Sequence, residues 1–234
     1  MIFIDPLESV EFCLTRNNFY EKLSLALGTQ TYINGKRLRL PWQLQVNQIS
    51  PDSPNLVYSC MEGASVDFPV LVKTNESNIT EKAHFMCVVF NFEGIKSALS
   101  LYSEKVIVQE FVNHDRTVYK VYVIGEYFSY YHRVSCNNIE NPAANMTAFE
   151  SDKAWPPELK GHSEPIVQEL DEQVVKYLVD TIKNWSSMQL FGFDILVQSR
   201  TGDYVLVDLN SFPGYKNFQE YGNYIDQLVA SFLS

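Results

Sequence analysis

The sequence predicts an α+β protein that forms either one large domain or two small lobes. Two apolar runs, 191–197 and 204–209, flank the turn signal Thr201-Gly202-Asp203, and this arrangement indicates a β-hairpin. Amphipathic segments over 164–185 and 220–233 lie on either side of the hairpin and indicate helices. The chain has 234 residues, of which 46% are hydrophobic, so it is long enough to bury a substantial core.

The N-terminal part is expected to begin with a short strand and to continue as helix. Asp5-Pro6 is a helix-start signal, and apolar residues follow at near-helical spacing as far as Leu27. Arg16 falls between two helical pieces, where it is either a solvated helix charge or a residue that reaches a ligand. Residues 28–54 are rich in turn signals and predict little regular structure. We interpret their three basic residues as a solvated surface: Lys36, Arg37 and Arg39.

Five apolar runs in the middle of the chain are predicted as strands, with short helices between them. The strands are 68–74, 85–90, 106–111, 118–124 and 127–134, and the helices are 55–61 and 94–101. Lys73 near the end of the first strand suggests a phosphate contact, with a snorkelling surface lysine as the equal alternative. Lys120 lies inside the fourth strand and Arg133 lies near the end of the fifth. Both are expected to flank residues 109–111, which makes a shared anionic ligand plausible.

The segment from 135 to 165 differs in composition from the rest of the chain. It is rich in Asn, Pro, Ser and Glu and has no clear hydrophobic period. We therefore predict a long loop or flap, a type of segment that often carries function. The helix over 164–185 follows, and its buried face is expected to begin at Ile166.

The hairpin contains a candidate metal site. Asp194 stands inside an apolar run, and a buried carboxylate costs several kcal/mol unless its charge is neutralised. Asp208 and Asn210 are two residues apart on the second strand, so both face the same side. Oxygen donors of this kind on neighbouring strands suit Mg²⁺ with bound phosphates. The pattern predicts a metal site, with ordinary polar residues at strand ends as the alternative.

Composition restricts the classes of partner. A net charge of −10 argues against general binding of nucleic acid or of an anionic membrane, so a polyanionic ligand needs a local cluster of basic residues. The four cysteines are scattered without metal-binding spacing, and we interpret them as reduced thiols of a cytosolic protein. No signal peptide and no run of transmembrane length is recognisable. We expect a cytoplasmic monomer.

A series of motifs carries a resemblance that covers nearly the whole chain outside 28–54 and 136–165. The motifs are DPLESV (5–10), TRNNFYE (15–21), FPVLVKT (68–74), VVFNFEGI (88–95), QEFVNHDRTVYKVYVIGE (109–126), HRVS (132–135), FGFDI (191–195) and VDLNSFPGY (207–215). In this order and spacing, the chain resembles the inositol trisphosphate 5/6-kinase family, also called inositol tetrakisphosphate 1-kinases. The resemblance implies an ATP-grasp fold, in which two lobes of mainly antiparallel sheet and helices hold ATP and Mg²⁺ between them. We expect residues 1–112 to form the first lobe and 113–234 the second.

The resemblance also implies roles for individual residues. ATP contacts are implied for Arg16, Lys73, Gln109, Glu110, Phe111, Val112, Lys120, Ser135 and Ser151. Contacts with the inositol phosphate are implied for His84, Lys120, Asn210 and Gly214, and ligation of two Mg²⁺ ions for Asp194, Asp208 and Asn210. Lys73, Lys120 and Arg133 would neutralise charge on the transferred group, because phosphoryl transfer depends on alignment and electrostatic stabilisation. We expect no catalytic base.

Two departures from the family pattern concern the phosphate acceptor. The family carries a further N-terminal α/β domain that supplies basic residues, and the match here begins at about its second segment. The loop after Lys73 lacks the usual glycine and contains Glu76 and Glu81, which repel phosphate. We expect an ATP- and Mg²⁺-dependent inositol polyphosphate kinase. The alternatives are an ATP-grasp carboxylate–amine ligase and a nucleotide-binding protein without catalysis.

Overall fold

The computed structural model describes residues 3–28, 31–76, 83–140, 142–161 and 163–233. Within these ranges the helices are α1 (Leu7–Phe12), α2 (Arg16–Leu27), α3 (Ser53–Gly63), α4 (Phe92–Leu99), α5 (Glu172–Ser186) and α6 (Tyr221–Leu233). The strands in the same ranges are β1 (Thr31–Ile33), β2 (Lys36–Arg39), β3 (Gln43–Val46), β4 (Val70–Thr74), β5 (Phe85–Val89), β6 (Val106–Glu110), β7 (Thr117–Ile124), β8 (Tyr127–Val134), β9 (Met146–Glu150), β10 (Leu190–Val197) and β11 (Tyr204–Ser211).

These elements form two compact units, neither of which is one continuous stretch of chain. The hairpin unit consists of the described parts of 1–40, 117–135 and 165–234, and the lysine unit of those of 41–116 and 136–164. The two lobes predicted from the sequence, 1–112 and 113–234, are each one continuous stretch of chain. The difference arises because α2 packs into the core of the hairpin unit, while β9 adds a strand to the sheet of the lysine unit.

The hairpin unit is built on a six-stranded sheet. Its strand order is β1-β2-β11-β10-β7-β8, and all pairs are antiparallel except the short parallel pair of β11 with β2. Phe191, Phe193 and Ile195 of β10 are buried in a core that includes residues of α2 and α5. Because side chains alternate along a strand, the opposite face of β10 carries Asp194. The sheet therefore has one apolar face and one face that can hold polar groups.

Helix α5 covers the apolar face and shows a clear start and end. The Asp171 side chain caps it by accepting a hydrogen bond from the Gln173 amide at 2.9 Å. The buried residues recur at helical spacing: Val174, Val175, Leu178, Val179 and Ile182. The helix stops at Ser187, which has a left-handed φ of 56°. Local capping and periodicity therefore explain the helix.

The predicted start of this helix, at 164, is wrong. The segment before Asp171 is not helical, because its carbonyl groups bond to β7 instead: Thr117 donates to Ile166 and Tyr119 donates to Gln168, at 2.8 and 2.9 Å. Ile166, which the sequence analysis places inward, is 64% exposed.

The lysine unit is a five-stranded antiparallel sheet with the order β3-β6-β4-β5-β9. Helices α3 and α4 lie on one face, and their apolar residues form a core with Val70 and Val72 of β4. Helix α4 begins at Asn91, whose side chain accepts a hydrogen bond from the Gly94 amide at 3.0 Å. Alternation along β4 therefore directs Lys73 to the face opposite these helices.

Four short strands of the structure were not predicted from the sequence. Strands β1, β2 and β3 lie in the turn-rich segment 28–54, and β9 lies in the predicted loop 135–165. The basic residues of β2 were also misinterpreted, since Arg37 and Arg39 lie 3.5 and 3.7 Å from the carboxylate of Asp203, next to the hairpin turn. These two arginines therefore join β2 to β11 and are not a solvated surface.

The other predicted strands and helices are present with small shifts at their ends. The initial strand is not formed by residues 3–5, and residues 1 and 2 lie outside the described ranges. Of the two acidic residues predicted in the loop after Lys73, Glu76 is described and Glu81 lies outside the described residues. Among the described helices, none is both long and apolar enough to cross a membrane.

Candidate functional site

A row of three charged side chains crosses the polar face of the hairpin unit. The register places Asp194 of β10 directly opposite Lys120 of β7 on one side and Asp208 of β11 on the other. The Lys120 Nζ atom lies 2.9 and 2.7 Å from the two carboxylate oxygens of Asp194. Strand pairing thus brings Lys120, which is 74 residues from Asp194 in the sequence, next to the two carboxylates of the hairpin.

Asp208 has one oxygen that is satisfied and one that is not. Its Oδ2 accepts a hydrogen bond from Asn210 Nδ2 at 3.1 Å. Its Oδ1 is buried and has no hydrogen-bond partner among the described residues. A buried carboxylate oxygen in this state costs free energy, which a bound cation would offset. The arrangement fits the predicted metal site.

A β-bulge places Asp208 on the polar face. Asp194 pairs with Asp208, but the next residue, Ile195, pairs with Leu206, so that Val207 is an extra residue in β11. Leu206 is buried in the core, and simple alternation would direct Asp208 to that same face. The extra residue shifts Asp208 to the face of Asp194, an effect that bulges beside functional sites often have.

The electrostatics of this face are dominated by burial and by the neighbouring charges. Burial raises the pKa of Asp194, and the facing Asp208 carboxylate raises it further. The Lys120 ammonium and the Arg133 guanidinium act in the opposite direction, since they favour the ionised form of Asp194. A divalent cation bound here would also favour the ionised form.

The donor set is chemically suited to Mg²⁺. Asp194, Asp208 and Asn210 offer hard oxygen ligands, which Mg²⁺ prefers. In the part of the chain that the structure describes, no group of three His, Cys, Asp or Glu side chains could hold a metal ion. A cation would therefore complete its shell with phosphate and water oxygens, as Mg²⁺ at nucleotide sites commonly does.

In the lysine unit, Lys73 is a buried lysine near the end of β4. Only 4% of its surface is exposed, so the alternative of a snorkelling surface lysine is wrong. Its Nζ donates to Gln109 Oε1 at 3.0 Å, and Gln109 Nε2 donates to Gln43 Oε1 at 3.2 Å. The two glutamines thus orient the ammonium group on the sheet face that α3 and α4 do not cover.

The segment that leads out of β6 is fixed by hydrogen bonds. The Glu110 amide donates to the Trp42 carbonyl at 2.8 Å, and the Glu110 carboxylate accepts from the Trp42 amide at 3.1 Å. The Phe111 amide donates to the Pro69 carbonyl at 3.2 Å. These hydrogen bonds fix the backbone conformation of the segment that is predicted from the sequence to contact the nucleotide.

Further along this connection, His114 is buried. Its Nδ1 lies 2.6 Å from the Val112 carbonyl oxygen, which can only accept, so Nδ1 carries the proton. Burial lowers the pKa of His114, while the Val112 carbonyl and the Asp115 carboxylate act against that change. The side chain of Asn138 accepts hydrogen bonds from the amides of His114 and Asp115 at 3.0 and 2.9 Å.

Two residues that were assigned to different ligands are neighbours in the lysine unit. The Ser151 amide donates to the His84 carbonyl at 2.9 Å, and Ser151 Oγ lies 3.5 Å from His84 Nδ1. The pairing of β5 with β9 causes this proximity, because Phe85 is opposite Glu150. The structure therefore joins the predicted acceptor-binding histidine to the predicted nucleotide-binding serine.

The remaining predicted site residues lie in the hairpin unit. Arg16 is the first residue of α2 and is buried, and Ser135 is buried directly after β8. Gly214 is exposed in the segment after β11, where a Cβ atom would meet no other atom within 4 Å. Their assigned ligand contacts stay predictions.

A tyrosine cluster beside the charged row was not predicted from the sequence. Tyr122 lies two residues beyond Lys120 on β7, and its hydroxyl is 3.2 Å from that of Tyr131. Tyr215 donates a hydrogen bond to the Val123 carbonyl at 3.0 Å. The two-residue spacing of Lys120 and Tyr122 is the one signal in the sequence that points to a shared face.

A sequence model of the inositol 1,3,4-trisphosphate 5/6-kinase ATP-grasp domain matches residues 32–231. The chain belongs to this family. The matched range contains the three predicted metal ligands and every other predicted site residue except Arg16. The resemblance found in the sequence is therefore confirmed.

Curated relatives in this family are named inositol-tetrakisphosphate 1-kinases. The protein from Xenopus laevis is 26% identical over 228 residues, which cover 94% of this chain and 55% of the relative. One from Zea mays is 28% identical over 169 residues, which cover 68% of this chain and 48% of the relative. The chain thus spans about half the length of the curated relatives it matches.

Solved structures of other proteins share the fold of this chain. D-alanyl-alanine synthetase A from Vibrio cholerae matches with a TM-score of 0.62 and 13% identity, over 98% of this chain and 68% of that one. D-alanine–D-alanine ligase from Bacillus anthracis matches with a TM-score of 0.61 and 15% identity, over 98% and 70%. At this identity the likeness concerns the fold alone. The predicted α+β, ATP-grasp fold is confirmed.

Proposed function

We propose that this member of the inositol 1,3,4-trisphosphate 5/6-kinase family transfers a phosphoryl group from ATP to a hydroxyl of an inositol polyphosphate, with Mg²⁺. The observation that carries the proposal is the row Lys120-Asp194-Asp208, with Asn210 beside it, inside the range that the family model matches. The ligase alternative loses support, because the likeness to ligases is one of fold at 13–15% identity.

The following residues are proposed to bind the nucleotide and its metal. Asp194, Asp208 and Asn210 would hold Mg²⁺, two ions in our proposal, and the metal supplies neutralisation of the phosphate charge. Lys73, oriented by Gln109, would bind phosphate oxygens through its ammonium group. The further nucleotide contacts proposed are Arg16, Gln109, Glu110, Phe111, Val112, Lys120, Ser135 and Ser151.

Transfer itself is proposed to depend on position and charge. Lys120 and Arg133 act on the same face as Asp194 and would stabilise negative charge on the transferred group. His84, Asn210 and Gly214 would contact the acceptor. We assign no catalytic base, since a loose phosphoryl-transfer transition state needs little proton removal before bond formation.

A panel assay tests this proposal. The protein is incubated with labelled ATP, Mg²⁺ and individual inositol phosphates carrying three to five phosphates, and label transfer is measured. We expect transfer to at least one member and none after metal chelation. Intact nucleotide binding without transfer to any member would contradict the proposal and favour a nucleotide-binding protein without catalysis.

We also propose that the protein is a cytosolic monomer. In support, Cys13, Cys60, Cys87 and Cys136 are all free thiols, which suits a reducing compartment. Sedimentation velocity at several concentrations tests the monomer, and a concentration-dependent increase in sedimentation coefficient would contradict it.

A further inference from the structure

The segment that follows β11 is conformationally strained. Four residues other than glycine have positive φ values there: Phe212 (42°), Tyr215 (45°), Asn217 (64°) and Glu220 (58°). Bulky side chains rarely adopt this conformation, and of the four only asparagine tolerates it readily. Strain of this kind persists only where the surrounding structure holds it in place, and it is concentrated at functional sites.

Tyr215 provides the first of the contacts that hold this segment. It is 6% exposed, and its hydroxyl donates to the Val123 carbonyl of β7 at 3.0 Å. The ring centroid of Tyr215 lies 5.4 Å from that of Tyr122, which is also on β7. It lies 6.0 Å from that of Phe212. Tyr215 and Tyr122 therefore attach the segment to β7.

A second set of contacts attaches the same segment to β10. A Cβ atom built on Gly192 would lie 2.9 Å from Pro213 Cγ, so the proline ring is in contact with the bare backbone at Gly192. The register places Gly192 between Tyr122 and Asn210. The Phe212 amide donates to the Leu190 carbonyl at 2.9 Å. The turn is thus fixed to the two strands that carry Lys120 and Asp194.

We propose that Tyr215 is a positioning residue for the phosphate acceptor. It holds the turn Pro213-Gly214, in which Gly214 is exposed, at a fixed place relative to Asn210, Asp194 and Lys120. The inference rests on the proposed function, because it assigns the turn to the acceptor. The strained φ values of Phe212 and Tyr215 follow from this role: the ring of Tyr215 must point into the sheet while the backbone at Gly214 stays exposed.

The test compares Tyr215→Phe with wild type and with a matched control, Tyr221→Phe. Tyr215→Phe keeps the ring and removes only the hydrogen bond to Val123. Tyr221 belongs to the same cluster, 5.1 Å from Tyr215 between ring centroids, and its hydroxyl makes no hydrogen bond within the described ranges. The full chain is used, with Mg-ATP and inositol 1,3,4-trisphosphate as probes.

Five quantities are measured for each protein: the Kd of Mg-ATP, the KM and the kcat for inositol 1,3,4-trisphosphate, the thermal unfolding midpoint, and the hydrogen exchange of amides 212–217. For Tyr215→Phe we expect a KM higher by about 2–10-fold, the usual effect of one hydrogen bond. Faster exchange at 212–217 should accompany it, with the Kd of Mg-ATP unchanged. Tyr221→Phe should behave as wild type.

An unchanged KM in Tyr215→Phe overturns the inference. A parallel loss of ATP binding, acceptor binding and stability also overturns it, because that pattern shows a merely structural tyrosine. Failure of the proposed function has a different signature, since wild type then accepts no inositol phosphate while the exchange measurement still reports whether Tyr215 holds the turn. In that case the acceptor role is lost together with the function.

Discussion

At the scale of single residues, Asp208 connects the structure most directly with metal chemistry. Its buried Oδ1 atom has no hydrogen-bond partner in the described ranges, and its carboxylate faces Asp194 across the strand pair. Both features destabilise the metal-free protein, and a bound cation would relieve both. These residues could be recognised from the sequence, because a carboxylate is unusual in an apolar run.

Replacement of the Asp208 carboxylate should lower activity without lowering stability. Asp208→Ala is expected to lower Mg²⁺-dependent turnover by more than about 100-fold, beyond the usual effect of a residue that only orients a ligand. The metal-free variant should be as stable as wild type or more stable, because the repulsion with Asp194 is removed. Mg²⁺ titrations of activity and urea unfolding in EDTA measure the two effects.

The matched control for Asp208 is Asp180→Ala, which removes an exposed carboxylate of α5 that pairs with Lys176. It should change neither quantity noticeably, since exposed pairs of this kind contribute little. Near-normal Mg²⁺-dependent activity in Asp208→Ala would refute the assigned role.

Substitution by alanine should affect stability differently at two glycines of the hairpin unit, Gly192 and Gly214. Gly192→Ala should destabilise the protein by about 1–3 kcal/mol, because its Cβ would lie 2.9 Å from Pro213, from the Tyr122 ring and from the Val121 carbonyl oxygen. Gly214→Ala meets no protein atom within 4 Å, so stability should change by less than about 0.5 kcal/mol.

The KM of Gly214→Ala for the inositol phosphate then tests whether the turn contacts the acceptor. We expect a higher KM for the inositol phosphate, because the added methyl group would occupy space that only a bound acceptor uses. Thermal unfolding and acceptor kinetics of both variants check the pair. A Gly214→Ala protein with unchanged stability and unchanged KM would show that the turn does not meet the acceptor.

At the scale of elements, the hairpin and the long helices were predictable and several short strands were not. Strands β10 and β11 have continuous apolar runs around a clear turn signal, so local pattern alone identifies them. Strands β1 and β9 are short and only partly buried, and they form because a partner strand pairs with them. The bulge at Val207 could not be predicted from the sequence either, because it is defined by the register between strands and not by composition.

The connection between β6 and β7 should make stability depend on pH through His114. Burial lowers the pKa of this histidine in the folded state below its ordinary value of about 6.5. Between those two values the unfolded chain binds more protons, so the free energy of unfolding decreases as pH falls. The contribution of His114 is therefore fully present above about pH 6.5 and is lost as pH falls through the folded-state pKa.

His114→Asn removes this titration and keeps a donor near the Val112 carbonyl. We expect the variant to lose less stability than wild type between about pH 7.5 and pH 5.5. Asp115 is the neighbouring charged group that acts on His114, and it is retained in both proteins. The control is His132→Asn, on the exposed end of β8, which should follow wild type. Identical pH dependence of unfolding in His114→Asn and wild type would contradict the assignment.

At the scale of the whole molecule, the predicted site residues are divided between two units made from interleaved stretches of chain. The hairpin unit holds Lys120, Arg133, Asp194, Asp208 and Asn210, and the lysine unit holds Lys73, His84, Gln109 and Ser151. The sequence motifs predicted the members of both groups. They could not predict this division, because membership in a unit is decided by long-range packing, as when α2 joins the core beneath β10.

The overall charge leads to a prediction about ionic strength. The chain carries a net charge of −10, so attraction of a polyanionic acceptor depends on a few basic residues. Three basic side chains proposed to attract it are exposed: Arg133, His84 and Lys216, which lies just past the Pro213-Gly214 turn. Interactions of exposed charges are screened by salt. Lys73, in contrast, is buried and is oriented by Gln109. The inositol phosphate and ATP should therefore differ in their response to salt.

We expect the Kd of inositol 1,3,4-trisphosphate to increase by about tenfold or more between about 0.05 and about 0.5 M salt, as the screening length falls to a few ångströms. The Kd of Mg-ATP should change by less than about threefold, because buried contacts are screened much less. Lys216→Gln should reduce the salt dependence of the acceptor, whereas Lys176→Gln on the exposed face of α5 should not. Calorimetry across a salt series measures all of these constants. Tight acceptor binding that is independent of salt would mean that the acceptor is held by buried groups, and it would exclude the exposed residues Arg133, His84 and Lys216 as its main contacts.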